Sequence, residues 1–432
     1  MSTLINEISV RAFTTFNLQG PALFKRKLLK FGNQESHFCL LDNNNYLDAS
    51  FECIAALGAH RAIVSTQNAI ECIDDFISQV RDYIFCHISY DLKNKIEKLS
   101  SSHYDGIGFP DFCFFQPKIV IILENDAVQI GVLEGGNPDF IFETINSISL
   151  LSTFNDPVTL KSRFSKLEYI AALKSILGHI SLGDCYEVCF CQEFFNENAE
   201  IDPAVVFEKL MLVSPTPYSA FYKFSKKYLL CASPERFLRK KGQHIFSQPI
   251  KGTSRRHKQD KIADEQEKEL LRNSAKERSE NIMIVDLVRN DLSKISCEGT
   301  VRVSEYLEVY SYPLVHQLIS TIEGKLKEDI SFSNIIKATF PMGSMTGAPK
   351  KRSMEIIEEL EKTRRGLYSG TVGYISPEKD FDLNVVIRSL LYNAETKYLS
   401  AQAGSAITHL SNEENEYEEC LIKMQAMQSA IS

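Results

Sequence analysis

One lysine lies in an unusual setting, inside the segment Pro-Ile-Lys-Gly-Thr at residues 249–253. A lysine that only contacts solvent does not require a proline, an isoleucine and a glycine around it. A lysine that reacts as a nucleophile must first lose its proton, and apolar surroundings disfavour the ammonium form. Lys251 is therefore a candidate nucleophile, with a pKa expected to be lowered.

A carboxylic acid is expected close to this lysine. The segment Ser233–Thr253 contains two strand-like runs around a turn at Lys241–Gly242. In an antiparallel hairpin centred there, Glu235 lies opposite about position 249, and Lys251 lies opposite about position 233. Two interpretations stay open, because the two side chains could form an ordinary, weak cross-strand ion pair or act together as an acid and an amine.

Two pairs of glutamates have helical spacing. Glu277 and Glu280 are three residues apart, and Glu416 and Glu419 repeat this spacing near the C-terminus. Residues three apart lie on the same face of a helix. Taken alone, each pair is typical of a solvated helix face.

An arginine interrupts the apolar run at residues 383–393. Arg388 could form a salt bridge on the face of a strand, or it could bind an anion. Arginine among apolar neighbours usually has a specific partner, and its planar fork matches a carboxylate. The sequence favours anion binding.

The composition excludes several classes of protein. The 432 residues are 44% apolar and 24% charged, as in ordinary soluble globular proteins. No apolar run approaches the roughly 18 residues of a membrane span, and the first 20 residues are a poor signal peptide. The net charge of −8 argues against nucleic-acid binding. Eleven scattered cysteines indicate reduced thiols and a cytoplasmic protein.

Three of these cysteines lie close together in the sequence. Cys189 and Cys191 would share one face of a strand, with Cys185 just before it. A thiolate metal site needs a fourth ligand, and none is nearby. We interpret all three as buried free thiols.

The order of elements predicts an α+β layered fold with antiparallel sheets. Residues 116–135 are expected to form a hairpin that turns at Asn125–Asp126, and residues 166–183 a helix that ends at Gly183. Residues 263–295 are expected to form one long helix. A boundary near Asn155–Pro157 divides the chain into regions 1–155 and 160–428.

Several segments resemble one enzyme family in their order and spacing. The sequence resembles the chorismate-utilising enzymes, the group that includes anthranilate, isochorismate, salicylate and aminodeoxychorismate synthases. The resemblance covers residues 160–428, whereas the first 155 residues match only loosely. It implies the chorismate-binding fold, with antiparallel β-sheets packed as a sandwich and helices outside. It rests on these segments: SPERF and PIKGT, GDCYEV, SAKERSENIMIVDLVRNDL, FPMGSMTGAPKKRSMEII, RRGLYSGTVGY, VVIRSLLY, AQAGSAIT and EYEECLIK.

The lysine position distinguishes branches of this family. Anthranilate synthases usually carry alanine there, whereas component I of the aminodeoxychorismate synthases carries lysine. The resemblance therefore implies that Lys251 attacks C2 of chorismate while Glu235 protonates the departing C4 hydroxyl. Ammonia then adds at C4 and gives 4-amino-4-deoxychorismate. Two alternative functions stay open. The chain could synthesise anthranilate, with Lys251 taking no part in the reaction, or it could be a non-catalytic regulatory subunit that binds chorismate.

The resemblance also implies a binding site for the dianionic substrate. Mg²⁺ would hold the ring carboxylate, with two glutamates as direct ligands and two acting through water. Tyr368 and Arg388 would bind the enolpyruvyl carboxylate, aided by backbone N–H groups near Gly404–Ala406. Ser344, in a loop that also begins a helix, would contribute a hydroxyl group. The direct ligands are Glu280 and Glu419, the water-mediated ones are Glu277 and Glu416, and Lys423 lies one turn beyond them as a further substrate-binding residue.

Some positions depart from the family pattern. Gln317 stands where many relatives have histidine, and His316 is one position early and is expected to point elsewhere on its strand. Cys189 stands where asparagine is common, and Ala406 stands where glycine is usual. No Gly-x-Cys-x-Gly glutaminase motif occurs, so we expect the chain to use either free ammonia or ammonia from a separate subunit. The resemblance implies the second source, a separate glutamine amidotransferase subunit. No nucleic-acid or membrane partner is expected.

Overall fold

A computed structural model describes residues 11–46, 51–65, 70–150, 156–312 and 315–432. The helices in this part of the chain are α1 (Pro21–Gly32), α2 (Cys72–Gln79), α3 (Lys93–Glu97), α4 (Pro138–Ser147), α5 (Lys166–Ser181), α6 (Pro203–Val213), α7 (Lys261–Asn273), α8 (Ala275–Ile295), α9 (Phe332–Thr339), α10 (Lys350–Leu360) and α11 (Glu413–Ile431).

The strands in the same residues are numbered along the chain. They are β1 (Ala12–Asn17), β2 (His37–Asp42), β3 (Cys53–Val64), β4 (Ile84–Ile88), β5 (Phe112–Glu124), β6 (Ala127–Val132), β7 (Lys161–Ser162), β8 (Glu187–Asn196), β9 (Tyr218–Phe224), β10 (Lys227–Ser233), β11 (Arg236–Lys241), β12 (His244–Gln248), β13 (Ile250–Arg255), β14 (Arg302–Ser311), β15 (Val315–Lys325), β16 (Gly347–Ala348), β17 (Thr371–Ile375), β18 (Phe381–Asn384), β19 (Ser389–Asn393) and β20 (Tyr398–Ile407).

The ladders that position the site are antiparallel. β8 pairs with β20 and β16, and β15 pairs with β12, β13 and β14. The predicted antiparallel sheets and helices are therefore confirmed. The hairpin β5–β6 turns at Asn125, which has a φ of 53°, and α5 ends just before Gly183, both as predicted.

Strands from the early part of the chain complete the sheet of the later part. β2 pairs with β9, and β4 pairs with β17. Asn155 lies outside the described residues, so the expected boundary there is not described. The division into regions 1–155 and 160–428 stays a prediction.

The long helix expected over residues 263–295 is instead two helices, α7 and α8. Ser274 separates them with extended backbone dihedral angles, φ −62° and ψ 114°. Its side chain accepts a hydrogen bond from the N–H group of Glu277 and so caps α8. Because of this break, the direction of α8 is set independently of α7.

All eleven cysteines lie within the described residues as free thiols, and most of them are buried. Among the described helices, none combines the length and the apolar character needed to cross a bilayer.

Candidate active site

The hairpin β11–β12 has the register that the sequence predicts. Arg236 lies opposite Gln248 and Lys241 opposite His244, with Gly242 at the turn in the left-handed region (φ 60°). Continuing this register places Glu235 opposite position 249. The strand that carries the lysine, β13, begins immediately afterwards and pairs with β15.

Glu235 is a buried acid that accepts a hydrogen bond from a serine. The residue is 5% exposed, and its Oε1 accepts a hydrogen bond of 2.7 Å from Ser344 Oγ. Burial raises the pKa of Glu235 to about 7, although the Ser344 hydrogen bond and the charge of Lys251 act in the opposite direction. A carboxyl group with this pKa can donate a proton near neutral pH.

Lys251 forms ion pairs with carboxylates other than Glu235. Its Nζ lies 3.0 Å from Glu187 Oε1 and 3.8 Å from Glu280 Oε2. Burial alone would lower the pKa of Lys251, but the negative charges of Glu187 and Glu280 outweigh it, and the pKa is raised. The hypothesis of a lowered pKa is therefore wrong in this structure, because two carboxylates stabilise the ammonium form.

The sequence analysis missed Glu187. It begins β8, where residues from Glu187 to Phe195 are all buried. A charged residue in a fully buried strand needs a partner, and this was the signal that could have identified it. Its partner, Lys251, is 64 residues away in the sequence.

The four predicted glutamates come from adjacent helices, α8 and α11. Lys276 joins the two helices, because its Nζ lies 2.8 Å from Glu416 Oε1, 3.4 Å from Glu419 Oε2 and 3.8 Å from Glu280 Oε1. The sequence analysis did not single out this lysine. Its ammonium group provides a positive charge among the carboxylates.

The environments of these glutamates differ. Burial raises the pKa of Glu280 to about 8 and also raises that of Glu277. Burial would raise the pKa of Glu419 as well, but the charges of Lys423 and Lys276 outweigh it and lower the pKa to about 2. The cluster therefore holds both strongly acidic and weakly acidic carboxyl groups.

The donor chemistry of the cluster fits a divalent cation. Glu280 Oε1 and Glu416 Oε2 are buried and have no hydrogen-bond partner among the described residues. Such oxygens suit Mg²⁺, which binds few carboxylates and retains water molecules. Across the described residues, however, no three His, Cys, Asp or Glu side chains converge in a metal-binding group. Lys276 Nζ instead lies within 4 Å of Glu280, Glu416 and Glu419.

Arg388 is a partly buried cation without a side-chain partner among the described residues. Burial lowers its pKa, whereas Tyr368 and Glu419 act to raise it. No hydrogen bond or ion pair involves its guanidinium group within the described residues, and its backbone is left-handed, with a φ of 52°. Strained backbone of this kind is concentrated at functional sites. That Arg388 binds an anion stays a prediction.

Tyr368 lies in the same region as Arg388. It is 3% exposed, and its hydroxyl group is 3.5 Å from Cys191 Sγ. The segments that carry Tyr368 and Arg388 are joined by backbone hydrogen bonds, because the Ser369 N–H group donates to the Val386 carbonyl and the Val386 N–H group to the Gly370 carbonyl, each at 2.8 Å.

The N–H groups of Gly404 and Ala406, predicted to bind an anion, point away from the neighbouring strand β8. Gly404 and Ala406 lie opposite Cys191 and Cys189. The N–H groups of these two cysteines donate to Glu361 Oε1 and to the Thr346 carbonyl, away from β20. Opposed residues that do not bond to each other direct their N–H groups outward, so those of Gly404 and Ala406 also point away from β8.

Gly404 could not be replaced without moving the sheet. A Cβ atom there would lie 1.8 Å from the Phe190 carbonyl oxygen. The Gly404 carbonyl accepts a hydrogen bond of 2.8 Å from Lys423 Nζ, which also lies 2.6 Å from Glu419 Oε1. Lys423 thus connects the backbone of β20 at Gly404 to the glutamates of α8 and α11 through Glu419.

His316 takes no part in this arrangement. Its Nδ1 is 2.8 Å from Ser311 Oγ and its Nε2 is 3.2 Å from Asp264 Oδ1. The neighbouring Gln317 is also buried, 5% exposed, and adjacent strand residues point to opposite faces.

A third residue missed by the sequence analysis, Arg365, bonds to the segments that carry the site. Its guanidinium group donates to the carbonyls of Cys189 and Met345 at 2.7 and 2.6 Å, and it pairs with Glu361. Cys189 belongs to β8, and Met345 follows Ser344 in a short 3₁₀ turn. Arg365 therefore ties the strand of Glu187 to the turn of Ser344.

Comparisons with known proteins show which family this chain belongs to. A family model described as chorismate binding enzyme matches residues 35–429. The chain is 37% identical over 382 residues to a probable chloroplastic aminodeoxychorismate synthase of Oryza sativa subsp. japonica, covering 79% of this chain and 42% of that protein. It is 35% identical over 337 residues to aminodeoxychorismate synthase component 1 of Salmonella typhimurium, covering 78% of this chain and 73% of that protein.

A solved structure shows the same fold. Anthranilate synthase component I from Streptococcus pneumoniae superposes with a TM-score of 0.74 at 25% identity, covering 89% of this chain and 93% of that chain. The expected fold is confirmed. The chain spans less than half the length of the rice relative and about three quarters of the Salmonella one.

Proposed function

This chain belongs to the chorismate-binding enzyme family, and we propose that it catalyses the amination of chorismate to 4-amino-4-deoxychorismate. The relatives from rice and Salmonella are named for this activity. The observation that carries the proposal is a largely buried lysine amine, Lys251, with a side chain 11% exposed, in one site with a buried acid of raised pKa, Glu235. This pair supplies the nucleophile and the proton donor that the reaction needs.

In the first half of the proposed reaction, water leaves. The neutral amine of Lys251 forms a bond to C2, the C1=C2 electron pair moves to C1–C6, and the C5=C6 pair moves to C4–C5. The C4–O bond breaks, and Glu235 supplies the proton that converts the hydroxyl group to water.

In the second half, the amine is exchanged. Ammonia bonds to C4, the electron pairs shift back, and the C2–N bond to Lys251 breaks. The new C4 ammonium group returns one proton to Glu235. The net change is replacement of the C4 hydroxyl by an amino group, with release of water.

Substrate binding requires charges that oppose a dianion. Arg388 is proposed to bind the enolpyruvyl carboxylate with Tyr368 and the outward N–H groups of β20. A bound Mg²⁺ would offset the charge of the ring carboxylate. Glu280 and Glu419 would hold it directly, and Glu277 and Glu416 through water.

Ammonia is proposed to come from a separate glutamine amidotransferase subunit. The Salmonella relative is named as component 1. If the proposal is correct, free ammonium will support turnover alone, and glutamine will do so only when a glutaminase subunit is added.

The test is an assay of pure protein with chorismate, Mg²⁺ and ammonium. We expect 4-aminobenzoate only when a 4-amino-4-deoxychorismate lyase is added, and its loss in Lys251→Ala. Lys258→Ala, at an exposed position close in the sequence, serves as the matched control and should retain activity. Fluorescent anthranilate without lyase would establish the alternative activity, and tight chorismate binding without turnover would establish a regulatory subunit.

A further inference from the structure

The closest partner of Lys251 is a buried carboxylate that the reaction outlined above does not use. Glu187 is 0% exposed, and its Oε1 lies 3.0 Å from Lys251 Nζ. Its other oxygen, Oε2, is buried and has no hydrogen-bond partner within the described residues. One oxygen of this carboxylate therefore faces the amine, and the other is unsatisfied.

The backbone of Glu187 is held from several directions. Glu187 lies opposite Ala348 in the short ladder between β8 and β16, and its carbonyl accepts a hydrogen bond of 3.0 Å from Ser353 Oγ. A Cβ atom on Gly347 would lie 2.0 Å from that carbonyl oxygen, so the chains approach closely only because residue 347 is glycine. The position of the carboxylate is thus fixed by the fold.

The amine requires a proton acceptor. The lysine side chain is ordinarily an ammonium ion near neutral pH, and an ammonium ion has no lone pair with which to attack carbon. Among the described residues, Glu187 is the carboxylate within hydrogen-bond distance of Lys251 Nζ. Glu280 is farther away, at 3.8 Å, and belongs to the cluster proposed to bind Mg²⁺.

We propose that Glu187 is the catalytic base for Lys251, removing one proton from its ammonium group before attack and returning that proton after the amine is expelled. This inference rests on the proposed function. The first transfer gives a neutral amine and a protonated Glu187, and attack on C2 then gives a secondary ammonium. When the C2–N bond breaks, Lys251 departs as a neutral amine and takes its proton back from Glu187.

The test separates the chemical step from substrate binding. Without ammonium, the wild-type protein should accumulate an adduct on Lys251 with the mass of chorismate less one water, measured by peptide mass spectrometry after rapid quenching. Glu187→Gln keeps the shape of the side chain but cannot accept the proton. We expect adduct formation to slow roughly 10²- to 10⁴-fold, a typical contribution of a general base, with the Kd for chorismate within about threefold of wild type.

A matched control and a second variant make the result decisive. Glu193→Gln neutralises another buried glutamate of β8, one bonded to Arg163, Tyr398 and Ser400, and should form the adduct at the wild-type rate. In Glu187→Ala, added formate should restore adduct formation in a saturable manner, which a purely structural role does not predict. This variant also decides the matter if Glu187→Gln does not fold.

The outcomes distinguish this inference from the function it rests on. A Glu187→Gln variant that forms the adduct within threefold of the wild-type rate overturns the role of Glu187 and leaves the amination proposal intact. A folded Glu187→Ala protein that formate does not rescue also overturns it. A wild-type protein that aminates chorismate without any adduct overturns the roles of both Lys251 and Glu187.

Discussion

Replacing the buried acid Glu235 with glutamine should stabilise the protein at pH 8 while removing its activity. Burial raises the pKa of Glu235 from 4.5 to about 7, so at pH 8 the folded protein must hold an ionised carboxylate away from water. Glutamine has nearly the same shape and can still accept a hydrogen bond from Ser344, but it carries no charge. The substitution therefore removes both an unfavourable charge and the proton donor.

The sign and size of the effect follow from the pKa values. Between pH 4.5 and about 7, the folded state keeps a proton that the unfolded state releases, so stability falls as pH rises through this range. A difference of about 2.5 in pKa, at about 1.4 kcal/mol for each unit, corresponds to about 3 kcal/mol. Relative to the wild type, Glu235→Gln should gain up to this amount of unfolding free energy between pH 4 and pH 8.

Urea unfolding at pH 4 and pH 8 measures this change, and the ammonium-dependent assay at pH 7 measures activity. Glu395→Gln, at an exposed position, is the matched control and should show neither effect. If the stability difference between Glu235→Gln and wild type is the same at both pH values, the carboxyl group does not have a raised pKa. If the variant keeps wild-type kcat, Glu235 is not the proton donor.

Two further substitutions test the charges around the site. In Lys276→Met, the ammonium group that contacts Glu416 and Glu419 is absent, so Mg²⁺ should bind about tenfold more tightly, equivalent to about 1.4 kcal/mol. Isothermal titration and melting curves with and without EDTA measure this, and an unchanged Kd for Mg²⁺ would contradict it. In Arg388→Lys, the KM for chorismate should rise roughly 10- to 100-fold, because a charge-assisted hydrogen bond contributes about 1.5–3 kcal/mol. The melting temperature should change little, since the guanidinium group has no partner among the described residues. A KM equal to that of wild type would show that Arg388 does not bind the substrate.

The parts of the site that the sequence predicted depend on local geometry. The β11–β12 register follows from the turn at Gly242, and the i, i+3 spacing of Glu277 and Glu280 follows from the helical period. These relations involve only neighbouring residues. They could be inferred without knowing how distant segments meet.

The parts that the sequence did not predict depend on contacts between distant segments. The direction of the Lys251 pKa shift is set by Glu187, 64 residues earlier, and no periodicity relates the two positions. Lys276 appeared to be one more charged residue on an exposed helix, yet the approach of α11 places it among carboxylates. The break at Ser274 was missed because a capping serine within a continuous amphipathic pattern resembles an ordinary helical residue.

The buried guanidinium of Arg365 has a consequence for the whole site. It bonds to the carbonyls of Cys189 and Met345, so one side chain joins the strand that begins at Glu187 to the turn that holds Ser344, whose hydroxyl group donates to Glu235. A shift of either segment must strain or break a bond to this guanidinium group. A substitution of Arg365 should therefore disturb the surroundings of both glutamates at once.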